Sequence, residues 1–378
     1  MKVLYVSKAL VVAAYRAKLR ELARYVDVTA VAPERWRGRE VEPDQARDER
    51  VEFRPVLLPG WNSLHVYPRL GSLLDRERPE LVHVDEEPFS LAALQLVELS
   101  RGRRIPAVFF AWENRDKWLP VPLAAVRRRV FRHTAGAIAG TPAAAAMLER
   151  HGYAGPLAVI PQFGVDPEAF APDPVARERV RRDPGIGPHD LCVGFAGRLV
   201  PEKGAGDLIH AIAGLPELQV LLLGDGPERS RLEALVLAAG ATERVRFVGH
   251  VPSTDMPEWL RAIDVLALPS RTTARWAEQF GRVLVEAMAC GIPVVASRSG
   301  EIPHVLGDAG VLVPEGDPAA LRQALAALAA DPSRRARLGA CGRARVLEHF
   351  THARIARETA GFYESLLAGS AVGPGARP

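Results

Sequence analysis

Residues 278–297, EQFGRVLVEAMACGIPVVAS, encode one loop, one helix and one strand in immediate succession. Gly281 marks the junction between loop and helix, and the apolar run 283–289 predicts a short helix that is mostly buried. Gly291 is typical of the position after a helix C-terminus, Pro293 prevents continuation, and the β-branched residues that follow predict a buried strand. A helix that leads into such a strand is the repeating unit of a parallel α/β sheet.

The same stretch carries two carboxylates, Glu278 and Glu286, in an E-x7-E frame. The first turn of a helix has unpaired backbone N–H groups and the positive end of the helix dipole, which suit an anion such as a pyrophosphate. Because a phosphate would repel a neighbouring carboxylate, we expect the glutamates to face hydroxyl groups instead. A phosphate and a polyol at one junction indicate a nucleotide sugar.

The composition is that of a large globular protein. The chain has 378 residues, of which 48% are hydrophobic and 25% are charged, which predicts two domains with cores of their own. It has no apolar run of 18 or more residues and no signal-peptide pattern at its start, so we expect a cytoplasmic protein. Cys192, Cys290 and Cys341 lack metal-ligand spacing and are expected to be reduced. A net charge of +4 with 6% aromatic residues does not favour a nucleic-acid partner.

Apolar runs of strand length alternate with amphipathic helical stretches along the chain. This alternation predicts an α/β protein with parallel, doubly wound sheets. The clearest predicted strands are 2–7, 28–32, 81–84, 107–111, 136–139 and 157–160 in the first half, and 191–196, 219–223, 245–248, 265–268 and 293–296 in the second. The last three predicted helices are 319–330, 334–348 and 353–367.

A change in composition divides the two series of strands. Pro, Gly and charged residues predominate in 173–190, which predicts a linker between a first domain, 1–172, and a second domain, 191–352. Residues 368–378 are rich in Gly, Pro and Ala and are predicted to be disordered. Two doubly wound domains bind ligands in a crevice at the carboxyl ends of their strands, so the chemistry is expected there.

Three loops of the second domain follow predicted strands. In GRLVPEKG (197–204), the planar Arg198 and the compact charge of Lys203 suit a diphosphate leaving group, although a solvated charged turn is the alternative. GDGP (224–227) is a turn before a helix, and because it is neither a GxGxxG motif nor a Walker lysine loop, dehydrogenases and P-loop enzymes are disfavoured. VRFVGHVP (245–252) offers backbone and apolar atoms against which a nucleobase could pack.

These motifs, in this order, resemble glycosyltransferase family 4, the retaining sugar-nucleotide transferases of the GT-B fold. The resemblance also covers SGEIPHVLGDAGVLVPEGD (299–317) and, before the linker, PQFGVDPEAFAP (161–172). It implies two Rossmann-like domains that face each other across a deep cleft. The N-terminal domain would bind the acceptor, with helix 353–367 packing back on it, and the C-terminal domain would bind the nucleotide-sugar donor.

The resemblance also implies roles for single residues. Arg198 and Lys203 would act as catalytic cations on the donor diphosphate, Glu278 would accept hydrogen bonds from donor-sugar hydroxyls, and Glu286 would hold the ribose. The remaining implied donor contacts are Gly197, Gly224, Val248, Phe280, Gly281, Arg282 and Val283. Transfer would proceed with retention at the anomeric carbon. No DxD-type pair follows a strand, so we expect no metal and no cofactor beyond the nucleotide sugar itself.

The first domain departs from the family pattern. The loop after its first strand has no glycine and presents Lys8, which could reach an anionic acceptor or simply be exposed. Relatives often have a histidine after the strand 107–111, whereas this chain has Glu113, so we expect that carboxylate to act near the acceptor, with Asn114 beside it. Asp85, with the two glutamates that follow it, could bind acceptor hydroxyls or form a solvated acidic turn.

The first domain also contains a basic helical stretch. Arg127, Arg128, Arg129 and Arg132 suggest peripheral contact with the inner face of a membrane, as in relatives with lipid-linked acceptors, or a solvated arginine-rich face. The acceptor is expected to be a hydroxylated saccharide, lipid-linked compound or small molecule.

The alternatives to a glycosyltransferase are a GT-B nucleotide-sugar epimerase, a non-catalytic nucleotide-sugar binder and a nucleic-acid-binding protein. Arg198 and Lys203 disfavour the non-catalytic binder.

Overall fold

The computed structural model describes residues 1–43, 50–182 and 184–371. The chain divides into two compact units. Unit 1 consists of Met1–Phe163 together with the chain from His352 onward, and unit 2 is Gly164–Thr351. Each unit is built on one large parallel sheet with helices between its strands, so the prediction of two doubly wound α/β domains is confirmed.

Unit 1 has a seven-stranded parallel sheet in the order β5-β2-β1-β6-β7-β8-β9 and a separate two-stranded hairpin, β3-β4. The strands are β1 (Lys2–Val6), β2 (Asp27–Pro33), β3 (Arg35–Trp36), β4 (Arg39–Glu40), β5 (Val51–Arg54), β6 (Leu81–Val84), β7 (Ala107–Ala111), β8 (Gly136–Ala139) and β9 (Leu157–Val159). The helices are the 3-10 turn Lys8–Val11, α1 (Ala13–Leu22), α2 (Leu70–Glu77), α3 (Leu91–Gly102), α4 (Val121–His133), α5 (Pro142–Arg150) and, from the end of the chain, α14 (His352–Ala371).

Unit 2 has a six-stranded parallel sheet in the order β12-β11-β10-β13-β14-β15. Its strands are β10 (Leu191–Ala196), β11 (Leu218–Leu223), β12 (Val245–Gly249), β13 (Val265–Leu268), β14 (Val294–Ser297) and β15 (Gly310–Val313). Its helices are α6 (Pro174–Arg182), the 3-10 turn Pro201–Lys203, α7 (Ala205–Ile212), α8 (Arg229–Ala238), α9 (Met256–Arg261), α10 (Arg282–Ala289), α11 (Ile302–Leu306), α12 (Pro318–Ala330) and α13 (Pro332–His349).

The segment predicted as a linker, 173–190, is largely ordered structure of unit 2. Asp173 accepts hydrogen bonds from the backbone of residues 175 and 176, both at 3.0 Å, and Pro174 occupies the first helical position of α6. Arg181 of this helix is buried and bonds Asp264 at 2.5 Å. A proline at this position costs the helix nothing, because the first N–H groups of a helix have no partner within it. Asp183, also part of the predicted linker, lies outside the described residues.

The last helix belongs to unit 1. On α14, the hydroxyl of Tyr363 hydrogen bonds with Nδ1 of His83 at 2.5 Å, within the core formed by β1, β6 and α1. Burial lowers the pKa of His83 to about 3, so the imidazole is neutral. The helix continues to Ala371, four residues into the stretch predicted as a disordered tail, and 372–378 lie outside the described residues. Among the described residues, no helix combines the length and apolarity needed to cross a bilayer.

Close backbone packing at the carboxyl end of the unit 2 sheet positions the candidate site. Gly204 has φ +69°, and a Cβ there would overlap the carbonyl oxygen of Pro269. Gly224 is packed so closely that a Cβ would overlap the carbonyl oxygen of Gly197. The loops after β10, β11 and β13 are therefore in direct contact, which they can be only because glycine has no side chain.

Candidate functional site

Lys203 and Glu278 lie together in unit 2, on the loops that follow β10 and β13. The Nζ atom of Lys203 is 2.6 Å from Oε2 of Glu278, and the same oxygen accepts a hydrogen bond from Oγ of Ser270 at 3.0 Å. The ring of Trp276 lies 5.1 Å from the ammonium nitrogen. Glu278 is only 6% exposed, so a buried carboxylate and a half-buried ammonium neutralise each other. The structure thus brings together two residues that the sequence analysis predicted separately.

Arg198 differs from Lys203 in being exposed. Within the described parts of the chain, its guanidinium has no carboxylate partner. Its loop is fixed by the backbone alone, because the N–H of Gly197 donates to Leu223 O at 2.9 Å and that of Leu199 to Asp225 O at 3.0 Å. Arg198 therefore presents an uncompensated positive charge on the same loop as Lys203.

The predicted glycine contacts share one network. Gly224 donates its N–H to Gly249 O at 2.7 Å, which joins the loop after β11 to the end of β12. Val248, predicted to lie near a nucleobase, is half-buried at that strand end. The backbone of Gly197, Gly224 and Gly249 thus forms a continuous edge at the carboxyl ends of three strands, which is where open α/β sheets bind ligands.

Helix α10 begins at the predicted junction. Gly281 is its N-cap and has φ +75°, a left-handed conformation that favours glycine. Glu286 is 4% exposed and bonds Nε of Arg282 one turn away at 2.9 Å. Burial raises the pKa of Glu286, and the Arg282 charge opposes that rise. Phe280 is buried and Val283 is half-buried. Glu286 is therefore not an ordinary exposed helix glutamate.

In unit 1, Asp85 directly follows β6 and holds the loop after β1 by hydrogen bonds. Its Oδ2 atom accepts hydrogen bonds from the hydroxyls of Tyr5 at 3.0 Å and Ser7 at 2.6 Å, and its Oδ1 atom bonds the Gln162 amide. The buried Lys18 amine donates to the Tyr5 hydroxyl at 2.8 Å, and burial lowers its pKa. Asp85 is 6% exposed, so the alternative of a solvated acidic turn is wrong at this position.

Glu86 and Lys8 form an ion pair beside this network. Glu86 is buried, and it also lies 3.2 Å from Nε2 of His65. The Lys8 ammonium is 5.8 Å from the centre of the Trp36 ring. Lys8 is therefore bound to a carboxylate rather than free in solvent, and two buried acids give the glycine-free loop its shape.

Glu113 lies on a loop held by a third acid, Glu87. Oε1 of Glu87 accepts the backbone N–H of Trp112 at 2.7 Å and of Glu113 at 3.0 Å. Burial raises the pKa of Glu87 to about 7, although these two N–H donors act against that rise. The Glu113 carboxylate pairs with Lys117 at 2.5 Å. Asn114 is half-buried on the same loop. The sequence analysis included Glu87 only as one of the three acids after β6 that could bind acceptor hydroxyls, and it gave no signal that this residue holds the next loop.

In the parts of the chain that the structure describes, no group of three or more His, Cys, Asp or Glu side chains has metal-binding geometry.

Known proteins match both units. A family model described as Glycosyl transferases group 1 matches residues 176–345, and one described as Glycosyltransferase Family 4 matches residues 15–169. A GDP-mannose-dependent alpha-(1-6)-phosphatidylinositol monomannoside mannosyltransferase from Mycolicibacterium smegmatis is 33% identical over 351 residues, which cover 87% of this chain and 88% of that protein. The chain belongs to glycosyltransferase family 4. The resemblance drawn from the motifs is confirmed, and the chain is a glycosyltransferase.

The chain is also similar to a second glycosyltransferase and to a solved structure. A D-inositol 3-phosphate glycosyltransferase from Streptomyces bingchenggensis is 36% identical over 249 residues, covering 61% of this chain and 53% of that protein. The crystal structure of Anabaena HepE in complex with UDP superposes with a TM-score of 0.78 at 22% identity, covering 97% of this chain and 100% of HepE. The predicted GT-B fold class is confirmed.

Proposed function

We propose that this glycosyltransferase moves a sugar from a nucleotide diphosphate sugar to a hydroxyl acceptor, with retention at the anomeric carbon and without a metal ion. The Lys203–Glu278 pair carries the proposal, since it places an ammonium and a carboxylate together at the carboxyl edge of the unit 2 sheet. A nucleotide sugar needs both, because its diphosphate requires positive charge and its sugar hydroxyls require acceptors.

In the proposed mechanism, the bond between the anomeric carbon and the diphosphate oxygen breaks while the acceptor oxygen bonds that carbon on the same face. Negative charge grows on the diphosphate, and Arg198, Lys203 and the backbone N–H groups that begin α10 stabilise it. The ammonium of Lys203 has three N–H donors, so it can keep Glu278 and still reach a phosphate. Glu278 orients the sugar, Glu286 holds the ribose, and a phosphate oxygen takes the acceptor proton.

The acceptor is assigned to unit 1. A pocket there is lined by both signs of charge, including Glu87, Glu113, Lys117, Arg127 and His151. Such a lining suits a polyhydroxylated acceptor that also carries a charged group. Glu113 is proposed to accept a hydrogen bond from the acceptor and so to orient it, while the proton passes to the donor phosphate. Lys8 and Asp85 would contribute indirectly, because their partners Glu86, Tyr5 and Ser7 already occupy their side chains.

The donor test is a calorimetric titration with GDP, UDP, GDP-mannose and UDP-glucose. At least one nucleotide is expected to bind wild type, and Arg198→Ala or Lys203→Ala should weaken it by about 10- to 100-fold, as loss of a charge-assisted hydrogen bond predicts. Arg337→Ala, at an exposed arginine on α13, is the matched control and should bind like wild type. Equal affinities in all three variants would remove Arg198 and Lys203 from the donor site.

The reaction is tested with the donor that binds. Incubation with an inositol phosphate or glycolipid acceptor should release nucleoside diphosphate, and NMR of the product should show the donor's anomeric configuration. Activity should persist in EDTA. A changed sugar without any acceptor product would indicate the epimerase instead. Nucleotide binding without turnover would indicate the non-catalytic binder. Loss of activity in EDTA would refute metal independence.

We also propose peripheral membrane contact through one stripe of α4. Val121, Arg128 and Arg132 are spaced by seven and four residues, so they lie on the same helical face, and all three are exposed. Trp118, just before the helix, is 84% exposed. Arg129 does not contribute, since it pairs with Glu98 at 2.7 Å. An exposed Trp beside cations fits an anionic bilayer surface.

Vesicle cosedimentation tests this contact. Wild type should sediment with vesicles containing phosphatidylglycerol but not with pure phosphatidylcholine, and binding should fall as salt rises. Trp118→Ala and the double variant Arg128→Ala/Arg132→Ala should each bind less. Trp61→Ala, at a Trp that is 62% exposed elsewhere in unit 1, is the control. No binding of wild type to anionic vesicles would refute the contact.

A further inference from the structure

The loop between β13 and Glu278 is anchored to the segment that carries Lys203. Nε of Arg271 is 2.7 Å from Oδ2 of Asp207, and Nη2 of Arg271 bonds Oδ1, so the guanidinium grips the carboxylate with both arms. Asp207 is 2% exposed in α7, the helix that starts two residues after Lys203. The Arg271 N–H also donates to Glu202 O at 2.8 Å. The two contacts thus reach residues 202 and 207, which lie on either side of Lys203 in the sequence.

The remainder of the loop is exposed, but hydrogen bonds hold it both to the loop after β15 and within itself. Thr272 donates its N–H and hydroxyl to Glu315, each at 2.6 Å. Thr273 donates its N–H to Trp276 O at 2.7 Å, and its Oγ1 accepts the Trp276 N–H at 3.0 Å. These contacts define a turn whose outer positions are polar. Its one aromatic side chain, Trp276, is half-buried and turned toward the Lys203 ammonium.

Lys203 is thereby held from two directions. Its ammonium has the Glu278 carboxylate at 2.6 Å and the Trp276 ring centre at 5.1 Å. A lysine side chain has four flexible torsions, and ordering it at the moment of binding would weaken binding. An aromatic ring over the cation restricts those torsions in advance without consuming a hydrogen-bond donor. The N–H groups not used by Glu278 remain available for an anion.

We propose that Asp207, Arg271 and Trp276 are positioning residues that hold the Lys203 ammonium in place for the donor diphosphate. The Arg271–Asp207 pair anchors the loop, and the loop places the Trp276 ring. This inference rests on the proposed role of Lys203 in donor binding. It assigns a function to a loop, 271–277, whose side chains the sequence analysis left without one.

The test is a double-mutant cycle on nucleoside diphosphate affinity, measured by calorimetry with GDP and UDP. Trp276→Ala should weaken binding about two- to fivefold in wild type and should have no further effect in Lys203→Ala. Trp276→Phe should restore most of the affinity, since a phenyl ring keeps the cation–π contact. Arg275→Ala, at the exposed neighbour on the same turn, is the matched control and should bind like wild type.

The anchor is tested by Arg271→Lys, which keeps the charge but loses the two-armed contact. It should weaken binding as Trp276→Ala does, and the two changes together should be no worse than either alone. Additive losses, or equal losses in the wild-type and Lys203→Ala backgrounds, would overturn the inference and leave the proposed function intact. Failure of wild type to bind any nucleotide would overturn both. Because Trp276 is on an exposed loop, its variants test the inference even where changes at Asp207 prevent folding.

Discussion

Replacement of Glu87 by Gln should change how the stability of unit 1 depends on pH. Both backbone N–H groups that Glu87 accepts are bonded to one oxygen, Oε1, and a glutamine oxygen can accept both. The substitution therefore removes the titrating group while keeping its hydrogen bonds. Burial raises the pKa of Glu87 from 4.5 to about 7, so between those values the folded protein holds a proton that the unfolded chain has released.

The sign and size follow from proton linkage. Where the folded state binds more protons, stability falls as pH rises, so wild type should lose stability between about pH 4.5 and 7 relative to the Gln variant. The full rise in pKa corresponds to about 3 kcal/mol, since each pKa unit is worth about 1.4 kcal/mol. Glu87 is partly exposed, and solvent screening reduces the expected effect to about 2 kcal/mol.

The measurement is the difference in unfolding free energy between Glu87→Gln and wild type at half-unit pH steps, from urea unfolding followed by circular dichroism. The variant should gain about 2 kcal/mol over wild type between pH 4.5 and 8, with the change complete about one pH unit above the folded pKa. Glu149→Gln, at an exposed glutamate on α5, should run parallel to wild type. Parallel profiles for Glu87→Gln would refute the reasoning, because the carboxyl would then titrate alike in both states.

Two pairs of substitutions test the packing of the molecule, each by chemical denaturation against its matched control. Gly204→Ala should lower the free energy of unfolding by about 3 kcal/mol or more, because φ at this position is positive and a Cβ would overlap Pro269 O. Its control, Gly361→Ala on the exposed face of α14, should raise that free energy by up to about 1 kcal/mol. A stable Gly204→Ala protein would contradict the close approach. Arg181→Ala should lower the free energy of unfolding by about 3 kcal/mol, since this buried guanidinium bonds three carbonyls and a carboxylate. Arg177 is a more exposed partner of the same carboxylate, so Arg177→Ala should lower it clearly less. Equal costs would mean that burial does not set the value of these contacts.

The central strands could be predicted from sequence because their residues are buried on both faces. Continuous apolar runs gave the bounds of 81–84, 107–111, 191–196 and 265–268 as the structure has them. The edge strands Val51–Arg54 and Gly310–Val313 were missed. Three residues of each are only half-buried, both strands are only four residues long, and Val51–Arg54 mixes polar and apolar residues. The order of strands in each sheet has no local signal, because it depends on how the crossovers run.

The candidate site was predictable as a set of loops but not as a set of contacts. Arg198, Lys203 and Glu278 were found because they follow buried strands at the edge where parallel sheets bind ligands. The pairing of Lys203 with Glu278 joins residues 75 positions apart, and that of Arg271 with Asp207 joins residues 64 apart. Spacing in sequence cannot reveal such pairs. Burial converts the acidic run after β6 from a solvated turn into three anchored carboxylates, which only tertiary packing determines.

The position of α14 determines the order in which the molecule can be completed during synthesis. Unit 2 is one continuous segment, whereas unit 1 is interrupted at Phe163 and resumes at His352. Ile355 and Tyr363 of α14 share a core with Tyr5 and other residues of the first strands. On the ribosome, the earliest part of the chain must therefore wait, with that face of its sheet uncovered, until the last helix emerges. Unit 2 is therefore complete before unit 1, although its synthesis begins later.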